Sequence, residues 1–124
     1  MDFPKDLKYS EEHEWVKIKD GVATVGITDF AQDSLGDIVF AELPKPGKKV
    51  NAGDSVAVLE SVKSVSDVYT PLGGEIVEVN EKLGGEPELI NKSPYADGWM
   101  FKIKTSDSTD NLMDSKAYEE YAHK

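Results

Sequence analysis

The chain has 124 residues, no cysteine and no arginine, and its 24 acidic side chains outweigh 14 lysines to give a net charge of −10. Disulfides, cysteine nucleophiles and thiolate zinc sites are therefore excluded, and nucleic acid and anionic membranes, which call for a basic surface, are disfavoured as partners. The length suits one domain that buries a core without staples, and the charge serves either solubility as a monomer or steering toward partners with basic faces.

Met1–Asp6 has neither the apolar run of a signal peptide nor the arginine-rich pattern of a transit peptide, and no segment has 18 consecutive apolar residues. The chain as given reads as cytoplasmic, or as a mitochondrial-matrix protein if a presequence has been removed. Glu14–Lys19 alternates, with Val16 and Ile18 on one face and Lys17 and Lys19 on the other. Asp20-Gly21 is a turn signal, and Val22–Ile27 returns as the partner strand. Thr28–Gly36 reads as a short helix, capped by Thr28 or Asp29 and stopped by Gly36. Asp37–Leu43 is a strand ended by Pro44-Lys45-Pro46-Gly47, and Lys48–Asp54 is a loop with a turn.

Next come two matching apolar runs, Ser55–Leu59 and Val65–Tyr69, on either side of Glu60-Ser61-Val62-Lys63-Ser64. They read as a hairpin with Lys63 near its tip. Gly74–Asn80 is a further strand, Glu86–Asn91 forms one helical turn with Pro87 near its start, and Trp99–Lys104 alternates with Trp99, Phe101 and Ile103 inward. A last helix over about 112–122 places Ala117, Tyr118, Tyr121 and Ala122 on one stripe. Short strands at regular spacing with little helix predict an all-β sandwich or barrel. Gly53–Glu60 and Gly74–Asn80 echo each other and suggest two units around a pseudo-two-fold axis.

Little in this sequence supports catalysis. His13 and His123 are far apart and make a poor metal set, no acidic pair stands out, and neither Leu72-Gly73-Gly74 nor Leu83-Gly84-Gly85 has phosphate-cradling spacing. A free lysine has a pKa near ~10.4 and needs a dry pocket to act as an unaided nucleophile. At a wet hairpin tip, Lys63 suits modification by an external enzyme that brings an activated acyl group.

The chain also carries an ordered series of motifs: His13-Glu14-Trp15-Val16, Gly26-Ile27-Thr28, Ala31-Gln32, Leu35-Gly36-Asp37-Ile38-Val39-Phe40, Glu42-Leu43-Pro44, Glu60–Ser64, Asp67, Tyr69-Thr70-Pro71, Gly74-Glu75, Pro94-Tyr95 and Gly98-Trp99. In these, from about Leu7 to Tyr121, it resembles the H protein of the glycine cleavage system. The resemblance implies a mainly β, lipoyl-type barrel-sandwich hybrid with short helices and a C-terminal helix, in one domain over 1–124 with its core at about 7–104. It implies lipoate in amide linkage on Lys63, with Glu60, Ser61, Val62 and Ser64 forming the attachment hairpin. The carrier would take an aminomethyl group from the glycine decarboxylase P protein, deliver it to the aminomethyltransferase T protein and be reoxidised by the dihydrolipoamide dehydrogenase L protein. A lipoate ligase or lipoyl/octanoyl transferase would load it, and passing lipoyl groups to other enzymes is an alternative role. By motif position, Glu14 and Asp67 would hold the amine in a cleft whose apolar wall is Ile27, Ala31 and Leu35. A biotinyl carrier, which flanks its lysine with methionines, fits less well, since Val62 and Ser64 stand there. An unmodified acidic adaptor is the reading from another class, and an intrinsic hydrolase relying on His13 is more remote. The departures are Leu72-Gly73 in place of a small apolar residue and serine, and the added charge of Glu11-Glu12 beside the expected cleft.

Overall fold

The computed structural model describes residues 1–122; His123 lies outside them. Strand β1 (Lys8–Tyr9) pairs with β2 (Glu14–Lys19), and β2 with β3 (Val22–Ile27). Asp20 and Gly21 close the β2–β3 hairpin with φ of 52° and 78°. Two positive φ values in a row define the turn whose twist matches that of the flanking strands, and Asp-Gly is among its favoured pairs. The same sheet continues through β9 (Phe101–Lys104), β8 (Gly74–Val79) and β5 (Lys49–Val50), in the order β1-β2-β3-β9-β8-β5. Strand β5 falls in the segment expected to be a loop; its two residues pair with Glu75 and Gly74 at the sheet edge.

The second sheet has three strands in the order β4-β6-β7, namely β4 (Ile38–Glu42), β6 (Ser55–Ser61) and β7 (Val65–Tyr69). All pairings are antiparallel, and the two sheets pack as a sandwich without closing into one barrel. Between them Val25, Ile76, Phe101 and Ile103 of the larger sheet meet Ala41, Leu59 and Val68 of the smaller. The two echoing segments supply β6 and β8, one to each sheet.

Helix α1 (Asp29–Leu35) begins where Thr28 Oγ1 accepts the Ala31 amide at 3.2 Å. It ends at Gly36, whose φ of 81° and ψ of −162° only glycine adopts readily. A 3-10 turn spans Glu81–Gly84, and the short helix α2 covers Leu89–Lys92, shifted toward the C-terminus from the predicted turn. From α2, Asn91 donates to the Gly36 carbonyl at 2.9 Å and accepts the Ile38 amide at 2.8 Å. It thereby ties the end of α1 to the start of β4.

Helix α3 (Ser115–Ala122) lies on the outside of the larger sheet, where Leu7, Tyr9, Trp15 and Tyr118 form a second apolar cluster. Tyr9 and Tyr118 stack with ring centroids 4.7 Å apart. Three residues depart from the predicted faces. Strand β2 is buried on both sides at Trp15 and Val16, but its far half runs past the covering elements, so Ile18 is exposed. Trp99 precedes β9 and is half-buried, with the Lys102 ammonium 5.2 Å from its ring centroid, while Met100 is buried instead. Ala117 points away from the sheet, leaving Tyr118 as the buried anchor of α3.

Candidate functional site

The hairpin tip is held by its own serine. The Ser61 amide donates to the Ser64 carbonyl at 2.8 Å, and Ser61 Oγ accepts the amides of Lys63 (3.3 Å) and Ser64 (3.1 Å). A small hydroxyl side chain bonding forward to nearby amides pins a turn without help from the core. The Val62 amide donates to the Asp37 carbonyl at 3.0 Å, which fastens the tip to the start of β4. Lys63 is exposed and makes no ion pair among the described residues. Its side chain lies across Gly36: a Cβ there would sit 3.4 Å from Lys63 Cε.

Beyond Gly36, on the side of α1, is a cavity of about 250 Å³. Glu14, Ile27, Ala31, Leu35 and Asp67 all line it, together with Glu12, His13, Phe30, Ser34, Leu59, Ser66 and Val68. Strands β2 and β3 supply one wall (Glu14 pairs with Ile27), α1 the second, and β7 the third. Glu60 and Ser64 stay at the hairpin and do not reach it. Larger grooves of about 520 and 710 Å³ lie beside Trp99 and beside β5, but they are more open and are lined by no residue of α1 or of the lysine hairpin.

Glu14 is 2 % exposed, and no cation pairs with it among the described residues. Burial pushes its carboxyl up to about 7, and the negative charge of Glu12 adds to this; the Ser10 hydroxyl, donating to Oε1 at 2.6 Å, and the Tyr69 backbone amide act in the opposite direction. Asp67 is exposed at the rim and accepts a hydrogen bond from Ser55 Oγ at 2.9 Å. The cavity thus combines apolar walls with one costly buried carboxylate and one solvated one, a combination that suits a short apolar chain ending in a cation.

His13 stands at the same cavity with a positive φ of 69°, its ring 4.9 Å from that of Phe30. Burial lowers its pKa, against the charge of Glu12. Its Nδ1 is 2.8 Å from Tyr118 Oη, which is 2.7 Å from Thr28 Oγ1. Thr28 is fully buried and its Oγ1 already accepts the Ala31 amide, so Tyr118 Oη is the only acceptor for its hydroxyl proton among the described residues. With Thr28 donating, full pairing of this network has Tyr118 donate to His13 Nδ1, the arrangement in which the imidazole proton sits on Nε2.

The glycine cleavage H-protein family model matches residues 7–124. The chain belongs to the glycine cleavage H-protein family. It is 54 % identical over 123 residues to a glycine cleavage system H protein of Marinobacter nauticus, covering 97 % of this chain and 95 % of the relative. With an Escherichia coli H protein it shares 58 % over 119 residues, covering 94 % and 92 %. The crystal structure of an H protein from Mycobacterium marinum superposes with a TM-score of 0.87 at 39 % identity, covering 97 % and 96 % of the two chains. This H-family chain therefore has the mainly β fold expected of lipoyl carriers, and it is a carrier component of the glycine cleavage system rather than an enzyme. No helix among its described residues is long and apolar enough to cross a membrane.

The sequence of this H-family member does not point to His13, Phe30, Ser34, Leu59, Ser66 or Val68 as cavity residues. Apart from Leu59, only their nearness in sequence to Glu14, Ala31 and Asp67 could have pointed to them. The added acid at Glu12 does bear on the site, since it lines the cavity and raises the Glu14 carboxyl.

Proposed function

We propose that Lys63 carries lipoate in amide linkage and that the cavity beside α1 receives the end of the loaded arm. The observation that carries this reading is the path of the lysine: its side chain crosses Gly36, next in the chain to Leu35 of a cavity holding a buried carboxylate with no cation beside it among the described residues. Loading forms an amide between Lys63 Nζ and the carbonyl carbon of an acyl adenylate made from lipoate and ATP; the bond from that carbon to the phosphate oxygen breaks, AMP leaves, and the ammonium nitrogen gives up two protons and keeps one as the amide N–H. A lipoate ligase, or a lipoyl/octanoyl transferase using another activated acyl donor, supplies this step.

Attached there, lipoate would supply a ring disulfide that opens as the S–S bond breaks: one sulfur would take the aminomethyl carbon with the electron pair left when glycine loses CO2, the other a proton, and the dithiol left after transfer would be reoxidised. The residues of this chain position and protect. Glu14, ionising near neutrality, gains a counter-ion when an ammonium enters, and Asp67 adds a second carboxylate at the rim. Ile27, Ala31 and Leu35 exclude water from what lies between. The partners of such a cycle are the P, T and L proteins, met one after another by a carrier whose negative charge steers it to basic faces. A cytoplasmic cycle is the reading that the bacterial relatives support. Passing lipoyl groups on to other enzymes would use the same lysine, and no particular residue favours it.

The test is intact mass after incubation with a lipoate ligase, lipoate and ATP. One lipoyl group gained by the wild type and none by Lys63→Arg supports the assignment. No gain with a ligase that loads a control lipoyl domain refutes it.

A further inference from the structure

The three-stranded sheet carries an exposed apolar patch at its lysine end. Seven large hydrophobic side chains are exposed among the described residues, and four of them, Val39, Phe40, Val62 and Val65, lie here, each between 49 and 69 % exposed. Isolated exposed hydrophobes are ordinary, whereas a contiguous patch marks a surface that something covers. Strand register joins them: Phe40 pairs with Glu60, and Glu60 with Val65, so the three side chains stand in one row on one face. Val39 sits at the irregularity just before Phe40, and Val62 adjoins Lys63. The neighbouring row, Ala41, Leu59 and Ser66, faces the opposite way, with Leu59 and Ser66 on the cavity. The patch and the Leu59–Ser66 wall of the cavity therefore lie on opposite faces of one hairpin, while Asp67 at the cavity rim shares the face of Val65.

We infer that this patch is the docking surface for the enzyme that acylates Lys63, and that the enzyme covers it with an apolar centre framed by basic side chains. The inference rests on Lys63 being the attachment residue. A lysine at a short hairpin tip enters an active site only if the surface around it is covered as well, and this patch is that surface. Desolvating Phe40, Val62 and Val65 favours association, and Phe40 is the aromatic anchor of the kind that dominates such contacts. Glu60 in the middle of the row, with Asp37 and Glu42 exposed beside it, calls for lysines or arginines opposite. A second copy of this chain would instead set a charge of −10 against −10. None of Val39, Phe40, Val62 and Val65 lines the arm cavity, so the patch acts in loading through residues that the docked arm does not use.

The test compares the wild type with a Phe40→Ser, Val65→Ser double variant as substrates of a lipoate ligase with lipoate and ATP, at low and high salt. The expected result is a KM for the protein raised about tenfold, equivalent to about 1.4 kcal/mol, with kcat kept, the melting midpoint unchanged, and a wild-type KM that rises with salt. Should the double variant melt early, Val65→Ser alone takes its place. An unchanged KM with a normally loaded wild type overturns the docking surface and leaves the attachment residue standing, as does a loss confined to kcat. A wild type that the ligase leaves unmodified, while it loads a control lipoyl domain, refutes the attachment reading itself. A wild-type dimer in sedimentation that the variant abolishes assigns the patch to a second copy and also overturns the proposal.

Discussion

Replacing Glu14 with Gln should stabilise the unloaded protein at high pH and do nothing for it at low pH. Burial raises the carboxyl from its ordinary 4.5 to about 7 in the folded protein, which corresponds to roughly 3 kcal/mol. Its folded value is raised, so the folded state holds the proton more tightly. Below pH 4.5 both states are protonated and there is no cost; between 4.5 and 7 stability falls as pH rises; above 7 the full penalty of about 3 kcal/mol applies. Glutamine is neutral and nearly isosteric, and its carbonyl oxygen can still accept from Ser10, although its amide group gives up an acceptor and returns about 1 kcal/mol. A net gain of about 2 kcal/mol at pH 8 remains, or about 8 °C in melting midpoint for a chain of this size. Thermal melts of the wild type and Glu14→Gln at pH 4, 6 and 8 measure it, with the exposed Glu120→Gln as the control for general charge relief. A difference between the two proteins that is the same at all three pH values, or a wild type that is the more stable at pH 8, would refute the reasoning. In the loaded protein the sign reverses, because an ammonium in the cavity repays the buried charge.

The remaining predictions follow from the same neighbourhood. Gly36→Ala forces a side chain into a conformation that only glycine adopts readily and should cost about 1–3 kcal/mol in urea unfolding; a smaller loss would mean that the end of α1 relaxes. Tyr118→Phe leaves the Thr28 hydroxyl buried without an acceptor and should cost about 1–3 kcal/mol by the same measurement. Nitrogen NMR of the wild type should show His13 protonated at Nε2 with Nδ1 bare, and a proton on Nδ1 would contradict the assigned chain from Thr28 through Tyr118. Lys63→Arg should change stability by less than about 0.5 kcal/mol, since the residue is exposed at a tip held by Ser61.

What the sequence made legible was local. Asp20-Gly21 marks the β2–β3 turn, Thr28 and Gly36 bound α1, and two β-branched runs bracket the lysine tip, because each signal acts through its own backbone. What failed was the question of which faces are covered. Alternation in β2 separates Val16 and Ile18 from the lysines, but only what packs on each face decides that the strand is sealed on both sides at Trp15 and Val16 and bare at Ile18. Trp99 and Ala117 were misplaced for the same reason. At the site, motif resemblance picked out Glu14, Asp67, Ile27, Ala31 and Leu35, which line one cavity. The burial of Glu14 and the positive φ of His13 depend on three elements meeting, and no local pattern carries that.

The measurement that bears most directly on the account is isotope-edited NMR of the lipoylated protein after reaction with P protein and glycine labelled with 13C at its methylene carbon. The account predicts cross-peaks from that carbon's protons to the methyls of Ile27, Ala31 and Leu35, lost in Lys63→Arg and weakened in Glu14→Gln. Label carried on Lys63 that shows no contact with those methyls would contradict the claim that this cavity holds the loaded arm.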